Sequence, residues 1–309
     1  MVTYAIRRTL LVVFGAIVVS SAVFIGVRQL PGNAFLSDRV SPSQAEELIH
    51  YYHLDEPWPR QYVRWIGGLF QGDLGESFVY RGQSVLTLLA PKIRVSLGLG
   101  AAALSVTVVV GLSLGLVAGI RQNQWIDYTA STAAVVSYSL PNFFIATLLV
   151  LLTSTALYRL THGAFYYEIG WGQLSQIPVP AIALGLPYSG IVARQMRAGI
   201  IDELRQDYVR TAWSKGLSES AVVLRHVMRN ALIPVVTILG PVATTILTGG
   251  LVVENIFGIP GLGREFINSI LTRDYNMTVA IFTLYSLFVG VVNVSIDLLY
   301  PVLDPKIRL

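Results

Sequence analysis

The chain has 309 residues, 53% hydrophobic and only 13% charged, with a net charge of +4, whereas a soluble domain carries about a quarter charged residues. It contains no cysteine, and its four histidines, His50, His53, His162 and His226, are scattered; this excludes a disulfide framework and a thiolate metal site and leaves no histidine ligand set. The basic balance points to membrane-flanking loops, not to nucleic acid.

Charge-free intervals run Thr9 to Val27, Val95 to Ile120, Tyr128 to Tyr158, Ile169 to Ala193, Asn230 to Val253 and Tyr275 to Ile296. A helix rising 1.5 Å per residue crosses a ~30 Å hydrocarbon core in about 20 residues. Each interval suffices, with tilt or an extra loop in the longer ones. The sequence therefore predicts an all-α, polytopic membrane protein of about six spans. The first interval follows Arg7 and Arg8, exceeds a signal peptide's apolar run and ends without a small-residue cleavage site, so it reads as a retained anchor. The chain divides into residues 1–30 (N-terminus and first span), 31–94 (a long connection) and 95–309 (the remaining spans).

With the N-terminus inside, the short inner segments hold Arg7, Arg8, Arg121, Arg194, Arg197, Arg205, Arg210, Lys215, Arg225, Arg229, Lys306 and Arg308, and the short outer ones Arg159, Arg264 and Arg273. The positive-inside rule then predicts both termini in the cytoplasm, the long 31–94 segment being largely exempt. Within that outer segment, Ser41-Pro42-Ser43-Gln44 combines a capping serine, a proline at the first helical position and a glutamine three residues after the cap, predicting a helix to about Tyr52. Trp58, Tyr62, Trp65 and Phe70 follow as an aromatic-rich stretch suited to the headgroup level or to the outer mouth.

In the second span, Gly111-Leu112-Ser113-Leu114-Gly115 matches the nucleophile elbow of hydrolases, a pattern that acts only on a strand-to-helix turn. Together with Gly119 it instead forms a flat stripe of glycines at four-residue spacing, open to close approach by another helix. The chain lacks a phosphate-binding loop and a histidine-glutamate zinc helix. The middles of the spans hold no ionisable side chain, and Asp297 lies near a span end. Ion-coupled carriers place such groups in the membrane, so energy must come from the solute gradient or from another subunit. Pro141, Pro178, Pro180 and Pro187 suit either kinks around a pathway or kinked packing alone.

Between the fourth and fifth spans, Leu204, Tyr208, Thr211 and Ala212 recur at helical spacing from Asp202 to Lys215, with Arg205, Asp207, Arg210 and Lys215 elsewhere on the wheel. Gly216 is placed to end this helix in the left-handed conformation. Ser218 can cap a second helix carrying Leu224, Val227 and Met228. Two readings fit: a helix pair presented to a partner, and an amphipathic segment lying on lipid.

The run Asp207-Tyr208-Val209-Arg210-Thr211-Ala212-Trp213-Ser214-Lys215-Gly216-Leu217, followed by His226 and Arg229-Asn230-Ala231-Leu232-Ile233-Pro234, resembles the coupling loop of ABC-transporter permeases, in particular the B-type subunit of oligopeptide/dipeptide/nickel importers. Arg210-Thr211-Ala212 stands where the general signature has Glu-Ala-Ala, and Pro234 lies farther from Gly216 than in the general pattern, both usual in the peptide branch. Leu54-Asp55-Glu56-Pro57 with Gln61-Tyr62, Gly72-Asp73-Leu74-Gly75-Glu76-Ser77, Glu254-Asn255-Ile256-Phe257-Gly258-Ile259-Pro260-Gly261-Leu262-Gly263, Arg273-Asp274-Tyr275 and Asp304-Pro305-Lys306-Ile307-Arg308 extend the resemblance over nearly the whole chain.

The resemblance implies a type I importer permease whose core spans 95–309, with a coupling loop at 197–230. It further implies alternating access for a small solute, most readily di- or oligopeptides, with nickel complexes, glutathione and short sugars as alternatives. Implied partners are a second, different permease, two cytoplasmic ATPases and an external solute-binding protein, in a prokaryotic inner membrane. No cofactor is then expected on this chain, ATP and Mg belonging to the ATPases. By the same resemblance Asp207, Tyr208, Arg210, Thr211, Ala212, Lys215 and Gly216 contact an ATPase, while Glu254, Asn255, Phe257, Pro260, Gly261 and Gly263 shape an outer gate. A passive channel remains the alternative from another class. An intramembrane enzyme is disfavoured because the spans hold no nucleophile paired with a base.

Overall fold

In a computed structural model describing residues 2–29, 35, 41–163 and 167–303, six helical stretches are long and apolar enough to cross a membrane: Ile6–Arg28, Val85–Ile120, Asn142–Leu160, Leu174–Leu204, Glu219–Ile256 and Tyr275–Asp297. The helices are α1 (Val2–Arg28), α2 (Pro42–Tyr51), α3 (Trp58–Phe70), α4 (Val85–Ile120), α5 (Trp125–Ser139) and α6 (Asn142–Val150), which continues through a π-helical turn into α7 (Leu157–Leu160). Next come α8 (Pro178–Leu204), α9 (Asp207–Ser214), α10 (Glu219–Val222), α11 (Met228–Ile256), α12 (Leu262–Leu271) and α13 (Tyr275–Leu303). Lys306, Arg308 and the segment Asp304-Pro305-Lys306-Ile307-Arg308 lie outside the described residues.

The third interval is not one span. Leu140, held extended (φ −90°, ψ 129°) ahead of Pro141, stops α5, and a new helix starts at Asn142; the proline ring disfavours helical backbone in the residue before it. The other three prolines break nothing: Pro178 and Pro180 sit in the first turn of α8, where no intrahelical donor is lost, and Pro187 is accommodated inside the helix.

The contacts divide the chain into two compact units, 96–259 with the end of α13, and 2–95 with 260–291. The first is organised around α8. Its apolar stretch is 61% buried, against 17–33% in the other five spans. Three glycines on α8 each admit a different neighbour: a Cβ at Gly185 would lie 2.2 Å from the Ala103 carbonyl oxygen of α4, one at Gly190 2.1 Å from that of Ala134 in α5, and one at Gly199 2.8 Å from that of Ala231 in α11. The glycine stripe of α4 reciprocates. A Cβ at Gly111 would meet Val192 at 2.6 Å, one at Gly115 the Ala193 carbonyl oxygen at 2.5 Å, and one at Gly119 Ile200 at 2.7 Å. Thr107 adds a hydroxyl donated to the Gly185 carbonyl at 2.7 Å. In lipid there is no hydrophobic force to press helices together, so packing at this range supplies the attraction.

The second unit is described by itself. Ser41 caps α2 as expected: its hydroxyl accepts from the Gln44 amide and its own amide donates to Gln44 Oε1. The aromatic stretch splits. Tyr62 and Trp65 pack on Phe24 of α1 with centroids 5.3 and 5.6 Å away, whereas Trp58 and Phe70 are exposed. Two motifs far apart in sequence meet in this unit, where Ser77 donates to the buried carboxylate of Asp274, which also accepts from the Met277 amide at the start of α13. Lys92 pairs with the buried Glu265 at 2.8 Å.

Gly115→Leu should therefore separate α4 from α8, at a cost of about 1–3 kcal/mol or more for overpacking. Gly15→Ala, where a Cβ meets nothing within 4 Å, should be neutral to mildly stabilising. Thermal unfolding in detergent is expected to show a lowered midpoint for the first and an unchanged or raised one for the second.

Candidate functional site

The loop between the fourth and fifth spans is built from two helix ends. α8 stops at Leu204, Gln206 takes an extended conformation (ψ 147°), and α9 starts at Asp207 rather than Asp202. Leu204 thus belongs to α8, and the register of the apolar face changes. Val209 and Ala212 are the buried residues of α9, while Tyr208 and Thr211 are exposed. Val209 and Ala212 enter one core with Val192, Met196 and Ile200 of α8 and with Val222, Val227 and Ala231. Val209 and Ala212 are thus covered by protein and not left for lipid, while Trp213 stays 43% exposed.

Gly216 ends the helix with φ +79°, its amide bonded to the Trp213 carbonyl at 2.9 Å. Ser218 is the extended residue immediately before the next helix, though its hydroxyl makes no capping bond. That helix is not a separate element. It runs from Glu219 through a π-helical turn at Val223–Val227 into α11, so the loop's second arm is the start of the fifth span.

Tyr208 ties the two arms together. Its hydroxyl donates to the Glu203 carboxylate at the end of α8 and accepts from Asn230 Nδ2 of α11 at 3.0 Å. Burial and the Glu203 bond raise the phenol above its ordinary value, so it remains a donor at neutral pH. Asp207, Arg210, Thr211, Trp213, Ser214, Lys215 and Gly216 form the exposed remainder. The Asp207–Arg210 contact, 3.6 Å and open to solvent, is of the kind that contributes little.

Deeper in the same unit, Asp127 at the start of α5 receives a two-point ion pair from Arg197 of α8, at 2.6 and 2.7 Å, and bonds from the Asn123 amide and Ser131. The Arg197 hydrogen bonds hold its carboxyl down at about 2, so Asp127 stays ionised at neutral pH. With the partners 70 positions apart in sequence, no local pattern announces it; Glu203, likewise, carries no signal of its own.

The candidates at and beyond the end of the fifth span fall into two groups. Glu254 is buried in the last turn of α11 and accepts from Ser96 at 2.6 Å. Asn255 is exposed. The helix ends by bonds from the Gly258 amide (φ +62°) to the Asn255 carbonyl and from Ile259 to Glu254, the paired pattern of a left-handed helix terminus. Phe257 is fully buried, edge-on to Tyr167 at 6.1 Å. Pro260, Gly261 and Gly263 belong to the other unit: Pro260 is exposed, Gly261 is the cap of α12 and Gly263 is buried within it.

Residues 111–309 match the family described as binding-protein-dependent transport system inner membrane component. The chain is 35% identical, over the full length of both, to the dipeptide transport system permease protein DppB of Lactococcus lactis subsp. cremoris, and 36% identical, again over both full lengths, to the oligopeptide transport system permease protein OppB of Escherichia coli. Among solved structures, an inward-facing form of the MetNI methionine ABC transporter superposes with a TM-score of 0.57 at 16% identity, covering 71% of this chain and 97% of that one. The fold is that of ABC importer permeases.

Tyr208→Phe should loosen α9 without unfolding the spans. Losing one partly exposed, charge-assisted bond costs about 1 kcal/mol. Hydrogen exchange is expected to accelerate several-fold in 207–216 while amides in the middle of α8 stay unchanged; acceleration spread evenly through α8 would contradict the local role.

Proposed function

This chain belongs to the family of binding-protein-dependent transport system inner membrane components, and from that premise we propose that it forms the pathway of an ATP-driven importer of di- or oligopeptides. The full-length similarity to dipeptide and oligopeptide permeases supports the substrate class. The observation that carries the mechanism is α9, a helix packed into the core through Val209 and Ala212 and exposed on its other face, where Asp207, Arg210 and Thr211 lie with Trp213. ATP, with Mg, is hydrolysed by two cytoplasmic partner subunits, and their closure pushes on the exposed Asp207, Tyr208, Arg210, Thr211, Lys215 and Gly216; Ala212, expected from the resemblance to make this contact, is instead buried beneath them. Because Val209 and Ala212 are locked to α8 and the start of the fifth span, the push is passed on rather than absorbed.

Alternating access follows. Displacing α8 and α11 together opens the pathway away from the ATPases, where an external binding protein delivers the solute. Glu254, Asn255 and Phe257 at the end of α11 shape the gate there, and a second, different permease completes the pathway. The topology is that of a bacterial inner-membrane protein with both termini cytoplasmic, supported by the lysine and arginine asymmetry of the short connections.

Gly216 provides the test. A Cβ there meets nothing within 4 Å, so substitution acts through its φ of +79° alone, at about 1–2 kcal/mol for a residue that avoids left-handed backbone. With both permeases, the ATPases and the binding protein reconstituted, wild type should take up peptide only with ATP. Gly216→Leu should reach near-normal membrane abundance but lose ATPase co-purification or uncouple hydrolysis from uptake, and Gly216→Asn, which tolerates this conformation, should retain most activity. Peptide uptake by this chain without ATP, or full coupling in Gly216→Leu, would contradict the reading.

A further inference from the structure

One face of α8 changes character halfway along the helix. Pro180, Leu184, Pro187, Ile191, Arg194 and Ala198 follow one another at steps of three or four residues and fall within about 80° around the axis. The first three are buried, Ile191 is half-buried, and Arg194 and Ala198 are exposed. α6 packs on α8, and at its start Asn142 Nδ2 donates to the Tyr188 hydroxyl at 3.2 Å. A Cβ at Gly249 of α11 would lie 3.3 Å from that nitrogen, 3.5 Å from that hydroxyl and 3.7 Å from Leu184 Cδ1. α6, α8 and α11 therefore meet where the face passes from buried to exposed.

This level is near the middle of the membrane. Asp127 and Arg197 are bonded to each other, just inside the polar turn Arg121-Gln122-Asn123-Gln124 that ends α4. From that pair, Tyr188 lies nine residues along α8 and Ser139 twelve along α5, or about 14 and 18 Å of rise. Both paths end about half-way through a ~30 Å hydrocarbon core. Here α5 has stopped and α6 has begun, so the last carbonyls of one and the first amides of the other lack helical partners, and Tyr138, Ser139 and Pro141 around them are exposed. Backbone of this kind does not face hydrocarbon; at such depth it is covered by protein or lines a water-filled cavity. The exposed part of the α8 face is equally unsuited to lipid. α1 exposes Leu10, Phe14 and Val18, whereas this face offers a small residue and Arg194, which among the described residues makes no hydrogen bond or ion pair. An ionisable side chain so placed marks a solute pathway.

Resting on the importer reading, we propose that this face of α8 lines the translocation pathway. It is open to water on the α9 side, from Ile191 to Ala198, and closed beyond Tyr188 by α6, with the Asn142–Tyr188 hydrogen bond as the seal. Displacing α8 and α11 away from α6 separates Tyr188 from Asn142 and uncovers Leu184 and Pro180.

Because the chain has no cysteine, single introduced cysteines report on this face. The assembled importer, in nanodiscs that leave both membrane sides accessible, is treated with a charged maleimide that does not enter lipid, and labelling of this chain is read by gel shift. Without nucleotide, Ile191→Cys and Ala198→Cys should react and Leu184→Cys should not; trapping with ATP and vanadate should expose Leu184→Cys and slow Ile191→Cys. Phe14→Cys, on the apolar exposed face of α1, should stay unreactive in both states. Tyr188→Phe keeps the ring and loses only the hydroxyl, and should speed Leu184→Cys labelling without nucleotide about threefold; an unchanged rate would overturn the seal. If Leu184→Cys fails to assemble, Ile191→Cys and Ala198→Cys carry the test. Their staying as unreactive as Phe14→Cys in both states would overturn the pathway assignment and give the face to lipid or to the second permease. Peptide uptake by the same preparations keeps the two readings apart: ATP-driven uptake with an unreactive face overturns this proposal alone, and a reactive face without ATP-driven uptake overturns the importer reading.

Discussion

The unit that contains α8 depends on how closely other backbones approach that helix. Lipid tails are as apolar as leucine, so burying leucine against leucine gains little in a bilayer, and contact distance decides which helices associate. Gly185, Gly190 and Gly199 open three places on α8 to α4, α5 and α11, and Gly111, Gly115 and Gly119 thin the opposing face of α4. Side chains larger than hydrogen at these positions would hold the helices apart and forfeit dispersion contacts along their whole length. The Asp127–Arg197 pair fixes the same packing electrostatically, joining α5 to α8 through two short bonds.

This packing gives the coupling reading its physical content. A surface helix lying on lipid would move independently of the spans. α9 instead shares its buried residues with α8 and with the helix that becomes the fifth span, and Tyr208 bridges Glu203 to Asn230 across the same junction. The left-handed Gly216 closes the turn between the arms without a steric demand on any neighbour. Force applied to the exposed face thus meets a stiff connection at both ends of the loop.

Much of this was legible in the chain. Charge-free intervals located the spans because desolvating a charge in hydrocarbon is costly, and the four-residue glycine spacing announced a contact face although it could not name the partner helix. The capping box at Ser41 and the left-handed Gly216 are local devices, set by residues within a few positions of one another. The break at Leu140-Pro141 was harder, since apolar residues on both sides of a proline look alike whether the helix kinks or stops. The buried face of α9 differs from the one the periodicity predicts because its register depends on Gln206 leaving the helix, a choice made by packing against α8. Asp127–Arg197 and Ser77–Asp274 join residues 70 and 197 apart; such partners are chosen by tertiary structure and leave no periodicity behind.

The central claim is that α9 moves as one body with α8. The absence of cysteine permits spin labels at two introduced cysteines, Leu174→Cys before α8 and Thr211→Cys on α9, both exposed and separated by roughly the 40 Å length of a 27-residue helix. Double electron–electron resonance on the assembled importer should give one narrow distance that is the same without nucleotide, with ATP and in a vanadate-trapped state. A broad distribution, or a second distance appearing with nucleotide, would show that α9 swings independently of the span it is claimed to drive.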